Sequence, residues 1–432
     1  MDRRSFLKLP ALVPLTALGS VFLSEEHHFQ YESVIGTSLD LVVWTPHSNI
    51  AEQACRTVLK EVDRLASILN TRDPASEISR LDDLNDRGSA SRELNAVLDA
   101  YNYWERRTGG VFSIRPAGPA MPINVDALGK AYIIDKAAKA AREAWPSIDG
   151  LLLNIGGDIV VWGRTFAIAI ADPDAPYDNA PPVGIINLQD AAVATSGTYA
   201  RGAHLTDPRT RQAIRNAPAA TVIAADAVTA NALATTLCLT NATHALQLVE
   251  STPGAQALRI SFGVLQRTSG FTLLETPALT QTAVAANWPS GYQLTVTLPL
   301  TARRSKKRPY VAVWVEDSSG KLVRPIALWA NKSKYYATLG TVWNLQRGNL
   351  NPFRPVTRAT RSSGRYDLVW DGLDSAGHPV PLGTYRITVE TNQEDGTYAK
   401  QSGTITLGES PTSVTLPATT NFDAVLIEYG PK

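Results

Sequence analysis

The chain has 432 residues, 44% of them apolar and 19% charged, with 41 basic and 40 acidic side chains and a net charge of +1. That length holds two or three domains, the apolar content excludes wholesale disorder, and the charge balance excludes a protein that depends on attraction to nucleic acid or anionic lipid. Two cysteines, Cys55 and Cys238, exclude a disulfide-stapled fold and a multi-cysteine metal cluster.

Residues 1–24 read as an export signal. Arg3, Arg4 and Lys8 precede an apolar stretch from Leu9 to Leu23, which Pro10 and Pro14 interrupt. The stretch is shorter than the ~20 residues of a membrane-spanning helix. Arg3-Arg4-Ser5-Phe6-Leu7-Lys8 resembles the twin-arginine export signal, which implies residence in the periplasm or at the outer face of a bacterial inner membrane. An amphipathic N-terminus or an uncleaved anchor is the other reading, and only the latter would tie the protein to the membrane. Without these residues the net charge becomes −1, because they carry three positive charges and one negative. Cys55 and Cys238 fall in helix-like segments and read as buried small hydrophobes.

Residues 28–260 mix apolar strands with Ala- and Leu-rich helical segments, the pattern of an α+β domain with mixed sheets and packed helices. Segment 261–289 is irregular and reads as a connector. Residues 290–410 alternate in short strands, such as Tyr292 to Leu298, Tyr310 to Val315 and Tyr385 to Glu390, with glycines between them. That rhythm predicts an all-β sandwich, and Trp370-Asp371-Gly372 with Gly383-Thr384-Tyr385 resembles hairpins of immunoglobulin-like modules of exported bacterial proteins. In the tail, 411–432, a Thr-rich lead is followed by a last strand, Ala424 to Tyr429. The basic run Arg303 to Arg308 reads as a solvated loop or a contact for an acidic partner.

Four blocks of the first domain carry residue types suited to a phosphorylated ligand. In the first, Asn124, Ala127, Gly129 and Lys130 precede an Ala-rich helix over 136–144. Small residues and a cation at a helix start serve as a phosphate site or simply as a cap. In the second, Asn154-Ile155-Gly156-Gly157-Asp158 turns tightly between two apolar strands. The third runs from Thr195-Ser196-Gly197 to His204, Leu205 and Asp207-Pro208-Arg209-Thr210. His204 is suited to accept a proton, with Asp207 nearby to orient it. The fourth is a helix from Asp226 to Cys238, on which Asn231 and Thr235 share a face at i, i+4 and offer two oxygens to Mg²⁺, or form a polar stripe.

Together with Ile35-Gly36-Thr37, Asp73 and Ser76-Glu77-Ile78-Ser79-Arg80-Leu81, these blocks resemble in order and spacing the ApbE family of FAD:protein FMN transferases, over residues 31 to about 255. The β-rich region resembles a periplasmic module of unknown function fused behind such domains. The resemblance implies Mg²⁺-dependent transfer of FMN from FAD to a threonine of an exported acceptor bearing a Ser/Thr-Gly-Ala-Thr-like segment, with release of AMP. It implies His204 as the base and Lys130 beside the phosphates. Gly156, Gly157, Asp158, Ser196 and Gly197 would line the flavin pocket, with Ile35, Asn124 and Leu205 also at the cofactor. The Ala127 carbonyl, Asn231 and Thr235 would hold the metal. Four positions depart from the family pattern: Asn231 and Asn124 replace aspartates, and Ala131 and Arg211 replace glycines. Asn231 keeps an oxygen but loses a charge, so a flavin carrier or an FAD pyrophosphatase is the alternative. A structural or adhesive protein that works through its sandwich is a third reading.

Overall fold

The computed structural model describes residues 24–81, 87–174, 182–199, 203–276, 288–289, 291–301, 308–330, 333–358, 360–361, 363–393 and 397–431. The segment read as an export signal, apart from Ser24, and the basic run, apart from Arg308, lie outside these residues.

In chain order the first domain comprises β1 (Glu25–Val34), β2 (Thr37–Thr45), α1 (Ser48–Leu69), α2 (Arg92–Arg107), α3 (Asp126–Ala144), β3 (Gly150–Ile155), β4 (Asp158–Trp162), β5 (Phe166–Ile170) and β6 (Gly184–Leu188). It continues with β7 (Ala191–Ser196), β8 (Thr206–Asp207), β9 (Gln212–Ala213), β10 (Ala219–Ala224), α4 (Ala227–Leu239), α5 (Ala242–Glu250), β11 (Gln256–Ser261), β12 (Val264–Arg267) and β13 (Glu275–Thr276). Eight strands form one sheet in the order β1-β2-β3-β4-β7-β10-β11-β12, and β13-β6-β5 form a smaller one.

Alternation along the strands decides what each face covers. Leu39, Leu41 and Val43 of β2, Leu151 and Leu153 of β3, and Ala220 and Val222 of β10 bury against the helices. Val161, Val193, Leu258 and Ile260 point the other way, into a second core shared with Ile168, Ile170 and Ile186 of the small sheet. Helix α1 buries Ala51, Ala54, Cys55, Val58, Val62 and Leu65, a spacing of three and four that makes one apolar stripe. Helix α4 is buried nearly all round, and Asp226 caps it by accepting from the Thr229 amide at 2.8 Å.

Two segments of the first domain differ from the sequence reading. Helix α3 starts at Asp126, ten residues before the expected 136, because Gly129 packs within the helix rather than breaking it. Residues 261–276 belong to the first domain: β12 extends the large sheet, β13 pairs with β6, and Phe271 is fully buried. Cys55 and Cys238 are buried free thiols, as expected.

The second region contains β14 (Tyr292–Leu300), β15 (Tyr310–Glu316), β16 (Leu322–Trp329), a short helix α6 (Gly340–Leu345), β17 (Thr357–Arg358), β18 (Gly364–Trp370), β19 (Gly383–Asn392), β20 (Tyr398–Leu407), β21 (Thr412–Leu416) and β22 (Val425–Pro431). The sheets β18-β14-β22-β21 and β17-β16-β15-β19-β20 enclose a common core containing Val296, Ile427 and Trp370 from one and Val313, Ile387 and Ile405 from the other. It is a two-layer β-sandwich. The expected flexible lead forms β21, because Leu416 is buried and Val414 packs on that core; β22 lies inside its sheet between β14 and β21. The described part of the tail, 411–431, therefore belongs to the sandwich. No helix among the described residues is long and apolar enough to cross a membrane.

Candidate active site

The turns and strand ends at one end of the large sheet, together with the starts of α3 and β8 and one face of α4, enclose a cavity of about 730 Å³. That is the size of a small-molecule or cofactor site. Ile35, Asn124, Ala127, Lys130, Gly156, Gly157, Asp158, Ser196, Gly197, His204, Leu205, Asn231 and Thr235 all line it. Segments separated by up to 200 residues of sequence thus converge where the eight-stranded sheet meets α3 and α4.

Its floor is a chain of polar contacts. Asp158, 1% exposed at the start of β4, accepts from Lys130 Nζ at 2.9 Å and from Asn231 Nδ2 at 3.1 Å. A buried carboxylate needs such partners, since an unpaired charge there would be costly. Lys130 Nζ also reaches the Gly156 carbonyl at 3.5 Å. The turn that delivers Asp158 is Gly156-Gly157, with φ of 59° and 93°, a backbone conformation that glycine adopts without steric cost. The Asn154 side chain accepts from the Gly157 amide at 3.0 Å and pins this turn.

Asn231 is oriented by its bond to Asp158. Its Oδ1 is buried and has no hydrogen-bond partner among the described residues. One helical turn on, Thr235 Oγ1 lies 3.4 Å from Ser196 Oγ at the end of β7. The amide oxygen, this hydroxyl and the Ala127 carbonyl make a hard oxygen donor set of the kind Mg²⁺ takes. An orphaned buried acceptor is the feature a cation would satisfy, so the residues fit the metal, although all three donors are neutral. Among the described residues no group of three or more His, Cys, Asp or Glu side chains is placed to hold a metal ion.

His204 sits on the exposed rim. Both oxygens of Asp207 accept from Arg209 at 2.9 Å, and Arg209 also donates to the Leu239 carbonyl at 2.6 Å. The Arg209 hydrogen bonds hold the Asp207 carboxyl below its ordinary value. Asp207 therefore ties the rim to the end of α4.

Several residues at the site escaped the sequence reading. Asp126, at the start of α3, accepts from Thr71 Oγ1 at 2.6 Å and from Arg72 at 3.3 Å, and Arg72, Asp126, Tyr101 and Tyr199 all line the cavity. Asp126 stands two residues after Asn124, whose Oδ1 accepts from its amide at 2.9 Å; an Asx turn at a helix start was the available signal. Asp135 lies behind the site on α3. Both its oxygens accept from the Ala227 amide, at 3.0 and 3.1 Å, and burial pushes its carboxyl up to about 7.

Paired glycines, a lysine–aspartate pair and hydroxyls at the end of an antiparallel sheet define an α+β domain built around a cofactor-sized site. Residues 114–259 match the model of the ApbE family, and residues 291–424 match that of a family described as a predicted periplasmic protein, DUF2271. The FAD:protein FMN transferase of Rhodobacter capsulatus is 29% identical over 140 residues, covering 29% of this chain and 26% of that protein. The chain therefore aligns with about a quarter of that relative's length. Among solved structures, the ApbE protein of Thermotoga maritima superposes with a TM-score of 0.50 and 21% identity, over 58% of this chain and 100% of its own. This likeness shows the fold of the first domain. The flavin transferase ApbE of Vibrio cholerae gives a TM-score of 0.47 at 18% identity, over 58% and 99%.

Proposed function

We propose that the first domain binds FAD in this cavity and transfers its FMN half to a threonine hydroxyl of an exported acceptor protein, releasing AMP. The observation that carries this reading is the convergence on one cavity of every residue that the family resemblance assigns to the flavin, the metal and the base.

In the step, the acceptor oxygen forms a bond to the phosphorus of the FMN half. The bond from that phosphorus to the AMP half breaks, AMP leaves with the electron pair, and the hydroxyl proton passes to His204. The rim position of His204 suits a base that must meet a hydroxyl on another protein. Lys130 is held by Asp158 at the cavity floor, where a cation offsets the charge of a pyrophosphate. The Ala127 carbonyl, Asn231 and Thr235 would hold Mg²⁺, which supplies charge neutralisation at the phosphates. The export signal and the description of the DUF2271 family support a periplasmic location.

The neutral side chain of Asn231 favours a second reading, a flavin carrier or an FAD pyrophosphatase in which water replaces the acceptor hydroxyl. One experiment separates the readings. Purified protein is mixed with FAD, Mg²⁺ and an acceptor bearing a Ser-Gly-Ala-Thr segment, and the acceptor is weighed by mass spectrometry. Transfer predicts a gain of one FMN. No gain with Mg²⁺ or Mn²⁺, despite tight FAD binding, leaves the carrier; free FMN and AMP without acceptor modification identify the pyrophosphatase.

A further inference from the structure

Three two-residue turns lie at the same end of the eight-stranded sheet: Ile35-Gly36 between β1 and β2, Gly156-Gly157 between β3 and β4, and Phe262-Gly263 between β11 and β12. The register places them on one side, since Leu39 pairs with Ile155, Ser196 with Ala220, Ala219 with Ile260 and Ser261 with Val264. The first two turns line the cavity; the third does not.

Phe262 is an unusual residue for its place. Its φ of 49° lies in the left-handed region, where a bulky side chain is strained and Asn, Asp or Gly is the common choice. It is also 90% exposed. Val264 and Leu265, which follow on β12, are exposed as well, and so is Leu273. Strand β12 ends the sheet order, so among the described residues one of its edges is paired with no strand. The two arginines of the hairpin are both engaged within the fold. Arg259 donates to Gln266 at 2.8 Å and to the Leu237 carbonyl, and Arg267 pairs with Glu275 at 2.9 Å. The surface is apolar with its charges already matched, which suits an uncharged polypeptide segment rather than an anionic headgroup.

We propose that the Phe262-Gly263 hairpin and the open edge of β12 form the docking surface for the protein acceptor, which lays an extended apolar segment there and so brings its hydroxyl residue to the cavity mouth. The proposal rests on the transferase reading. Ser196 stands two and a half strand spacings from the hairpin, about 12 Å. An extended chain covers that distance in about four residues. The apolar anchor of the acceptor therefore lies about four residues from the modified hydroxyl. The backbone of β12 supplies hydrogen bonds, and Phe262, Val264 and Leu265 supply the apolar contact.

The test uses the full chain and two peptides with the same Ser-Gly-Ala-Thr segment, one with Leu-Val and one with Asp-Asp about four residues from the threonine. Peptide binding is read by fluorescence anisotropy and FMN transfer by mass. The wild-type protein should prefer the Leu-Val peptide. Phe262→Asn installs the common turn residue, so it should fold at least as stably and bind FAD equally well, while raising KM for the Leu-Val peptide about tenfold. Val264→Asp should do the same. Transfer with an unchanged KM in both variants, or no preference between the peptides, overturns the docking surface and leaves the transferase reading intact. Preferential binding that is lost in Phe262→Asn, without transfer by the wild type, keeps the docking surface and sinks the transferase. Loss of vesicle binding or of self-association in Phe262→Asn, with peptide binding unaffected, also overturns the proposal.

Discussion

Asn231 divides its amide between two tasks. Its nitrogen donates to Asp158, and its oxygen is left buried without a partner. Replacing it with aspartate sets a second carboxylate against Asp158, which Lys130 alone must then balance. Without a cation, Asn231→Asp is expected to lose about 1–3 kcal/mol of stability, because a hydrogen-bond donor becomes a repelling acceptor. With a charged oxygen facing the Thr235 side of the cavity, it should gain affinity for Mg²⁺. Thermal melts with and without Mg²⁺ check both effects: the Mg²⁺-induced rise in Tm must be larger in the variant. An equal rise places the ion elsewhere. Asn231, Thr235 and the Gly-Gly-Asp turn were legible in the sequence because short motifs at fixed spacing carry them. The contacts of Asp126 with Thr71 and Arg72 were not, since they join residues more than 50 positions apart and no local pattern encodes such a meeting.

Between elements, the pair α3 and α4 sets the site. Lys130 rides on the first and Asn231 and Thr235 on the second, and Asp135 of α3 grips the first amide of α4. Its carboxyl is raised to about 7, chiefly by burial. Between the ordinary carboxyl value, about 4, and this raised one, the folded chain keeps a proton that the unfolded chain has lost. Stability from this group therefore falls as pH rises through that window. Asp207, Glu93 and Asp317 have depressed values and act below it, losing stability as pH falls. Asp135→Asn, which retains an acceptor, is expected to flatten the decline in Tm between about pH 4 and about pH 7. A decline as steep as in the wild type would assign it to other groups. Sequence reading placed α3 late because Gly129 resembles a breaker. The helix runs through Gly129 because Leu128, Ala131, Ile134 and Ala138 bury one face of α3 in the core beside α1, a tertiary reason that no local propensity records.

Across the molecule, the apolar cores separate cleanly. Two clusters draw only on residues up to 274, and two others only on residues from 288 onward. Two domains whose cores share no side chains are expected to melt as separate units. Calorimetry of the full chain should resolve two transitions, and FAD should raise only that of the first domain, by mass action on its folded state. A single transition that moves as a whole would mean that the domains unfold together. The strand-rich character of the second region and its last strand, β22, were readable from their alternation, whereas β21 was not. Val414 and Leu416 look like scattered apolar residues in a Thr-rich stretch until Ile427 and Leu298 are folded against them. The two thiols carry a consequence of their own for the periplasmic location proposed above. Burial raises the Cys238 thiol to about 12, its hydrogen donates to the Pro218 carbonyl, and Cys55 is enclosed beneath Tyr31. Neither presents a thiolate to an oxidant or to a disulfide-exchange enzyme while the chain is folded. Both become reactive only on opening, so alkylation of these two sulfurs counts unfolded molecules directly, without an added label.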